Sequence, residues 1–253
     1  MEIRRVKKHD VDMTSGSVFR HLLNFAVPLL MGNIFQQLYN TVDTWVVGNY
    51  VSNEAFSAVG TVAPIINTLI GAFSGLASGA GVVISQYYGA GKYDRVKDAV
   101  HTAVMMTLVL SVAFTAIGIA MTPNMLRLMK TPAEVFPESR AYLNIYFSGM
   151  AGLMLYNMGA GILRAVGDSK RPFYYLVCAA VINTVLDLVF VIAFGMGVEG
   201  VAYATIIAQG ISAILTMLTL LRSESCVRVE LKLIRLHKDM LLKIIKVGIP
   251  AAL

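Results

Sequence analysis

The sequence predicts an all-α integral membrane protein that crosses the bilayer with six helices. Of its 253 residues 57% are hydrophobic and only 14% are charged, and the mean hydropathy is +0.67, a composition typical of membrane proteins. Six largely uncharged stretches each exceed about 18 residues, the length that a helix needs to span a bilayer. This length favours helices over barrel strands, which are segments of about ten alternating residues.

The predicted spans, in chain order, are 22–47, 56–85, 99–121, 141–163, 173–194 and 198–221. Lysine and arginine are concentrated in alternate connections. Of the 21 basic residues, 18 lie in the N-terminal arm or in the connections after spans two, four and six. By the positive-inside rule the N-terminus is cytoplasmic. The formal charge of +6 is therefore explained by topology and contact with membrane lipids, and nucleic acid is not expected as a partner.

Two acidic residues lie well inside predicted spans, Asp43 in the first and Asp187 in the fifth, whereas Glu199 lies at the outer end of the sixth. A carboxylate at mid-membrane costs roughly 3 kcal/mol, so its presence indicates a role with an ion, a proton or a substrate. Asn183 lies one helical turn before Asp187. The face of the first helix that carries Asp43 also carries Gln36, Tyr39 and Asn40. We predict that these three residues, with Asn157 of the fourth span, line a substrate cavity.

Glycine and proline suggest how the helices pack and bend. The second span carries a small-residue stripe, Gly71, Gly75 and Gly79, which predicts close packing against another helix. Pro28 breaks the hydrogen bonding of the first span. It could be a hinge that couples Asp43 to the shape of the cavity, or a passive kink.

The chain divides into four predicted parts. An N-terminal arm (1–17) precedes a six-helix lobe (18–222), and a basic amphipathic linker (223–243) follows on the cytoplasmic side. Residues 244–253 are expected to begin a seventh helix, because the sequence around Pro250 resembles that around Pro28, with a spacing of 222 residues. A parallel repeat of this kind predicts a second six-helix lobe that this chain lacks.

Several motifs resemble those of the multidrug and toxic compound extrusion (MATE) family, most closely its clostridial and bacillary branch. The most specific is NTVLD, Asn183 to Asp187, followed by GMGVEGVAYAT at 195–205. Three further segments agree with it, QQLYNTVD at 36–43, SQYYGA at 85–90 and ILRAVGDSKRP at 162–172. The resemblance covers nearly the whole chain.

This resemblance implies an antiporter of two six-helix lobes, of which the chain is the N-terminal one, in the bacterial plasma membrane. It implies export of cationic or amphiphilic compounds against inward Na⁺ or H⁺, with no organic cofactor. The implied coupling site is Asp43, Asn183, Asp187 and Thr205. Two carboxylates, an amide and a hydroxyl offer oxygen ligands for Na⁺, and the same carboxylates could instead share a proton. Both uses remain open.

Other functions fit the sequence less well. A flippase for lipid-linked sugars is the alternative within the same superfamily, but we expect it to need more buried cationic residues to bind phosphate. An intramembrane aspartyl protease needs two facing acids, and the one Gly-Asp pair, Gly167-Asp168, lies outside the predicted spans. A passive channel suits a symmetric ring better than a two-lobe repeat. No catalytic or metal-ligand spacing is present, so an enzyme is not expected.

Overall fold

The computed structural model describes residues 18–252, and all regular structure within them is helical. The bounds of the α-helices are α1 Val18–Tyr50, α2 Asn53–Gly89, α3 Tyr93–Leu128, α4 Phe136–Ser148, α5 Met150–Ala165, α6 Lys170–Leu188, α7 Gly197–Arg222 and α8 Lys238–Ala252. A π-helix, Val189–Ala193, continues α6, and one 3-10 turn, Leu231–Leu233, precedes α8. The all-α prediction is confirmed. The predicted N-terminal arm lies outside the described residues.

Within residues 18–252, four helices are long and apolar enough to cross a membrane by length and composition, namely α2, α3, α6 with its π extension, and α7. The first and fourth predicted spans differ from these. α1 has 33 residues, but polar side chains from Asn33 to Asp43 lower its hydropathy. α4 and α5 have 13 and 16 residues, and each is shorter than the roughly 18 residues of a single span.

Gly149 divides the fourth predicted span, 141–163, which we had expected to be one helix. Its N–H donates to the carbonyl oxygens of Ile145 and Tyr146 at 3.2 and 3.1 Å, so the last turn of α4 tightens there. A Cβ at this position would collide with the side chain of Ile206 on α7. The glycine therefore allows the α4–α5 junction to approach α7 closely.

The predicted glycine stripe explains how α2 packs against α8. A Cβ added to Gly79 would lie 2.5 Å from the Cα of Gly248, and one added to Gly75 would collide with the backbone of Ala252. No heavy atom lies within 4 Å of a Cβ added to Gly71. Close packing is thus found at two of the three stripe positions, and the partner is α8.

The segment between α7 and α8 is anchored to the lobe rather than lying free. Val227 and Val229 are buried, and the N–H of Val229 donates to the Leu220 carbonyl at 3.1 Å. We call the apolar cluster that surrounds them the linker cluster; it includes Val83, Ile84, Val96, Val100, Met158, Ile162, Leu220, Val227, Val229, Met240 and Ile244. The predicted linker, 223–243, consists of irregular chain, the 3-10 turn and the start of α8 at Lys238.

α7 packs against both α5 and α6, and α1 packs against α6. Small residues bring the first pair together, since a Cβ on Gly152 would lie 3.1 Å from the backbone nitrogen of Gly210. α1 meets α6 through an edge-to-face contact of Phe35 and Phe173, whose ring centroids are 5.9 Å apart. These contacts enclose the space in which the predicted site lies.

Candidate functional site

Asp43 and Asp187 form a buried acid pair where α1, α6 and α7 meet. Their residue exposures are 6% and 0%. The two carboxyl groups are neighbours, and the Asp43 carboxyl also faces the hydroxyl of Thr205 on α7. The structure thus brings together side chains that are 144 positions apart in the sequence, Asp43 and Asp187. Asn183 is buried one turn before Asp187 on α6.

The buried polar atoms of this site lack hydrogen-bond partners. Neither carboxyl oxygen of Asp187 has a hydrogen-bond partner within the described residues. The side-chain oxygen and nitrogen of Asn183 and Oδ1 of Asp43 have none either. The Thr205 hydroxyl donates to the Val201 carbonyl of its own helix at 2.9 Å, which leaves its lone pairs available to a ligand. An unpaired buried polar group costs about 1–3 kcal/mol, and a charged one costs more. A proton or a cation at the acid pair would offset this cost.

The donor set fits either ligand. Two carboxylates, an amide oxygen and a hydroxyl are hard oxygen donors of the type that bind small cations, and two adjacent carboxyl groups can share one proton. Within the described residues no group of three or more His, Cys, Asp or Glu side chains could hold a metal ion. The donor set itself offers oxygen ligands for a small cation and a carboxyl pair for a proton.

The helix that carries Asp187 changes its geometry immediately after it. α6 ends at Leu188 and continues as the π-helix Val189–Ala193, a rare form that is frequent at functional sites. The chain then reverses direction at Gly195 and Gly197, whose φ values of 64° and 60° lie in the left-handed region. This reversal explains the glycines of the GMG motif and places α7 beside α6.

A cavity of about 250 Å³ extends from Asn183 and Thr205, beside the acid pair, toward the start of α6; we call it the polar cavity because 12 of its 22 lining residues are polar. Its polar lining consists of Asn33, Gln36, Tyr39, Ser74, Tyr156, Asn157, Arg164, Ser169, Asn183, Thr205, Gln209 and Ser212. Asn183 and Thr205 are thus shared by the cavity and the acid site. About 14 residues of α6 separate Asn183 from Ser169, or roughly 20 Å at 1.5 Å per residue.

The predicted cavity residues divide into two groups. Gln36, Tyr39 and Asn157 line the polar cavity, and so does Pro28, the predicted hinge. Asn40 lies outside it, in a shallow groove with Gln37, Thr44 and Trp45. Its angular position on α1, one residue beyond Tyr39, is enough to direct it to a different face. α1 remains helical through Pro28.

The cavity is also lined by three residues that no sequence pattern had predicted there, Arg164, Ser169 and Gln209. Arg164 had been assigned to a cytoplasmic connection, but it lies in the last turn of α5 and lines the cavity. A spacing of seven residues, two helical turns, from Asn157 would have indicated the shared face. Gln209 follows Thr205 by four residues in the same way.

Membrane-compatible helices around a polar cavity that ends at two buried acids define a lobe of a membrane transporter. The comparisons give the family. The MatE family model matches residues 28–189, which is more than half of the chain, and the chain belongs to this family of transporters.

Relatives of known sequence and solved structures agree with this family assignment. The chain is 36% identical over 248 residues to the probable multidrug resistance protein YoeA of Bacillus subtilis, covering 94% of the chain and 53% of YoeA. It is 32% identical over 243 residues to the probable multidrug resistance protein YpnP of the same organism, covering 96% and 54%. An outward-facing multidrug resistance MATE transporter of the MOP superfamily superimposes with a TM-score of 0.90 at 25% identity, covering 97% of this chain and 54% of that one. The chain therefore spans about half the length of the relatives it matches, which corresponds to one lobe.

Proposed function

We propose that this lobe and a second lobe form an antiporter that exports cationic or amphiphilic compounds across the bacterial plasma membrane in exchange for Na⁺ or H⁺. The N-terminus is cytoplasmic in this proposal, in keeping with the distribution of basic residues. The relatives named above are probable multidrug resistance proteins. One observation carries the proposal: a buried acid pair with unpaired oxygens lies beside a polar cavity.

The cavity and the acid pair are connected without being the same site. Asn183 and Thr205 contribute to both, so an ion bound at Asp43 and Asp187 changes the groups that face a substrate. Coupling requires only that ion and substrate each favour a different arrangement of the two lobes. Moving such an equilibrium from 1:99 to 99:1 takes about 5.5 kcal/mol of differential binding.

Ethidium efflux from proteoliposomes that contain the complete two-lobe protein tests this function. An imposed Na⁺ gradient and an imposed pH gradient are applied in turn, so that the gradient that supports efflux identifies the coupling ion. Asp187→Asn is expected to lower ion-driven efflux at least a hundredfold, because it removes the charge that binds the ion. Unchanged efflux in this variant would exclude the carboxylate from the mechanism.

Asp239→Asn is the matched control for this experiment. Asp239 lies at the start of α8, its side chain is 52% exposed, and it pairs with Arg95 at 3.0 Å. The same chemical change there removes a surface ion pair, which contributes about 1 kcal/mol or less. Efflux should remain within twofold of the wild-type rate.

A lipid-linked sugar flippase is the second candidate, and one observation favours it. The sequence analysis found no cationic residue to bind phosphate within the spans, but Arg164 lines the cavity. One arginine provides one phosphate contact, whereas a pyrophosphate-linked lipid has two phosphates. Translocation of a fluorescent lipid-linked sugar without any ion-driven ethidium efflux would favour this candidate.

A further inference from the structure

Among the described residues the Arg164 guanidinium has no acidic partner, unlike those of Arg95 and Arg171. Arg95 pairs with Asp239 at 3.0 Å, and Arg171 pairs with Asp168 at 3.4 Å. In the described part of the chain Arg164 makes no ion pair, although it is only partly exposed and lines the polar cavity. An arginine in this position presents up to five donors to whatever enters.

Ser169 provides a second unpaired donor at the same end of the cavity. Only 3% of this residue is exposed, and it lines the cavity. It precedes the first turn of α6, a helix of 19 residues, but its side chain makes no capping hydrogen bond. The partial positive charge of a helix N-terminus adds to the positive potential there.

The acidic groups nearby are already engaged elsewhere. Asp168 accepts a hydrogen bond from the N–H of Arg171 at 3.1 Å and pairs with the Arg171 side chain. No carboxylate lines the cavity itself, and Arg164 is the one charged side chain among its lining residues. The cavity is therefore positive at the Arg164 end, and the acid pair lies behind Asn183 and Thr205 at the other end.

We propose that Arg164 and Ser169 bind the anionic group of the transported amphiphile, either a carboxylate or a phosphate. The ligand that fits this charge distribution is a zwitterion, with its oxyanion at Arg164 and its cationic part directed along the cavity toward Asn183 and Thr205. The inference rests on the proposed function and adds a substrate class to it. It makes Arg164 a specificity residue of this lobe.

Two dyes that differ in one group test the proposal. Rhodamine 110 has a free carboxylate, and rhodamine 123 is its methyl ester. Binding of each to the complete protein in neutral detergent is measured by fluorescence polarisation. The wild type should bind rhodamine 110 about tenfold more tightly, because a hydrogen bond between charged groups contributes about that factor. Equal binding of the two dyes would overturn the proposal without any variant.

Three variants test whether Arg164 causes the preference for rhodamine 110 over rhodamine 123. Arg164→Gln should remove the preference for rhodamine 110, and Arg164→Lys should keep part of it, since lysine retains the charge without the planar fork. Arg95→Gln is the control, because it removes the same charge from a side chain that pairs with Asp239 and does not line the cavity. A preference that persists in Arg164→Gln, or that disappears equally in Arg95→Gln, would contradict direct binding at Arg164.

A membrane phospholipid carries the same oxyanion and is the other source of this chemistry. Phosphatidylglycerol is therefore titrated into both binding assays. We expect rhodamine 110 to remain bound; its displacement from the wild type, at concentrations that do not affect rhodamine 123, would assign the site to lipid instead. Ion-driven efflux of ethidium, which has no anionic group, depends on the proposed function alone, so the two proposals can fail separately.

Discussion

Buried polar groups lie beside the linker cluster and in the acid pair, but the structure treats the two sets in opposite ways. At the linker, Nδ1 of His101 donates to the Lys97 carbonyl at 2.7 Å, and Nε2 accepts from the Glu230 N–H at 3.0 Å. Both ring nitrogens of a neutral histidine are thereby satisfied. At the acid pair, neither Asp187 oxygen has a partner. The His101 ring, which holds the linker, is paired, and the Asp187 carboxyl, which we propose to serve transport, is left for a ligand.

Adding one methyl group at the α2–α8 contact should give the largest loss of stability. Gly79→Ala places a Cβ 2.5 Å from the Gly248 backbone, and the resulting overpacking should cost about 3 kcal/mol of unfolding free energy. Gly71→Ala is the control: it meets no atom within 4 Å and should stabilise the helix by up to about 1 kcal/mol. Thermal unfolding in detergent measures both. Changes of the same sign in the two variants would refute the packing argument.

Removing the unpaired carboxylate of Asp187 should raise the unfolding free energy, whereas removing a contact normally lowers it. Asp187→Asn should raise the unfolding free energy by about 1 kcal/mol at pH 8, because an amide is less costly to bury than a carboxylate without a partner. The same variant should lose ion-driven efflux, so it would be more stable but inactive. Differential scanning fluorimetry in Na⁺-free buffer measures the change. A lower melting temperature would mean that the pair stabilises the fold.

Breaking the histidine contact of the linker should have a smaller effect. His101→Leu leaves the Lys97 carbonyl and the Glu230 N–H without their partner, at a cost of about 1 kcal/mol for the hydrogen bonds. The linker should then become more accessible, which limited proteolysis at the neighbouring Lys232 and Arg235 would detect. His237→Leu provides a comparison, because His237 contacts Thr102 instead. Unchanged cleavage in His101→Leu would show that the valine contacts alone hold the linker.

Ion binding should respond weakly to the hydroxyl of Thr205. Thr205→Val removes one of four candidate ligand groups, and Thr205→Ser keeps the hydroxyl that faces Asp43. We expect a fivefold loss of apparent ion affinity in the valine variant and less than twofold in the serine variant. The ion dependence of efflux rates measures this. Equal affinities in both variants would place Thr205 outside the ion site.

The sequence was most informative where a residue conflicts with its surroundings. Asp187 is conspicuous because it lies in an apolar run, and Gly79 because a glycine stripe on a helix needs a reason. The all-α class and the family followed from such features. The tertiary partner of each residue did not, since no local pattern relates Gly79 to Gly248 or Asp43 to Thr205.

Features that depend on angular position were predicted less well. Asn40 and Tyr39 are adjacent in the sequence, yet the groove and the cavity lie on different sides of α1. Arg164 was assigned by its charge to the membrane surface, although it faces inward from the end of α5. The break at Gly149 depends on Ile206, a residue of another helix. These outcomes are decided by packing between helices, which a single sequence does not record.

The contact between α2 and α8 has a mechanical consequence for a two-lobe carrier. Backbone lies against backbone at Gly79 and Gly248, and the Lys243 ammonium donates to the Tyr87 hydroxyl at 2.5 Å near the start of α8. The three atoms nearest to a Cβ added at Gly79 are all backbone atoms of α8. If the second lobe continues from α8, its first helix is part of the first lobe's rigid body. When one lobe rocks against the other, α8 would then move with the first lobe. The change in backbone conformation would occur in the chain that follows α8.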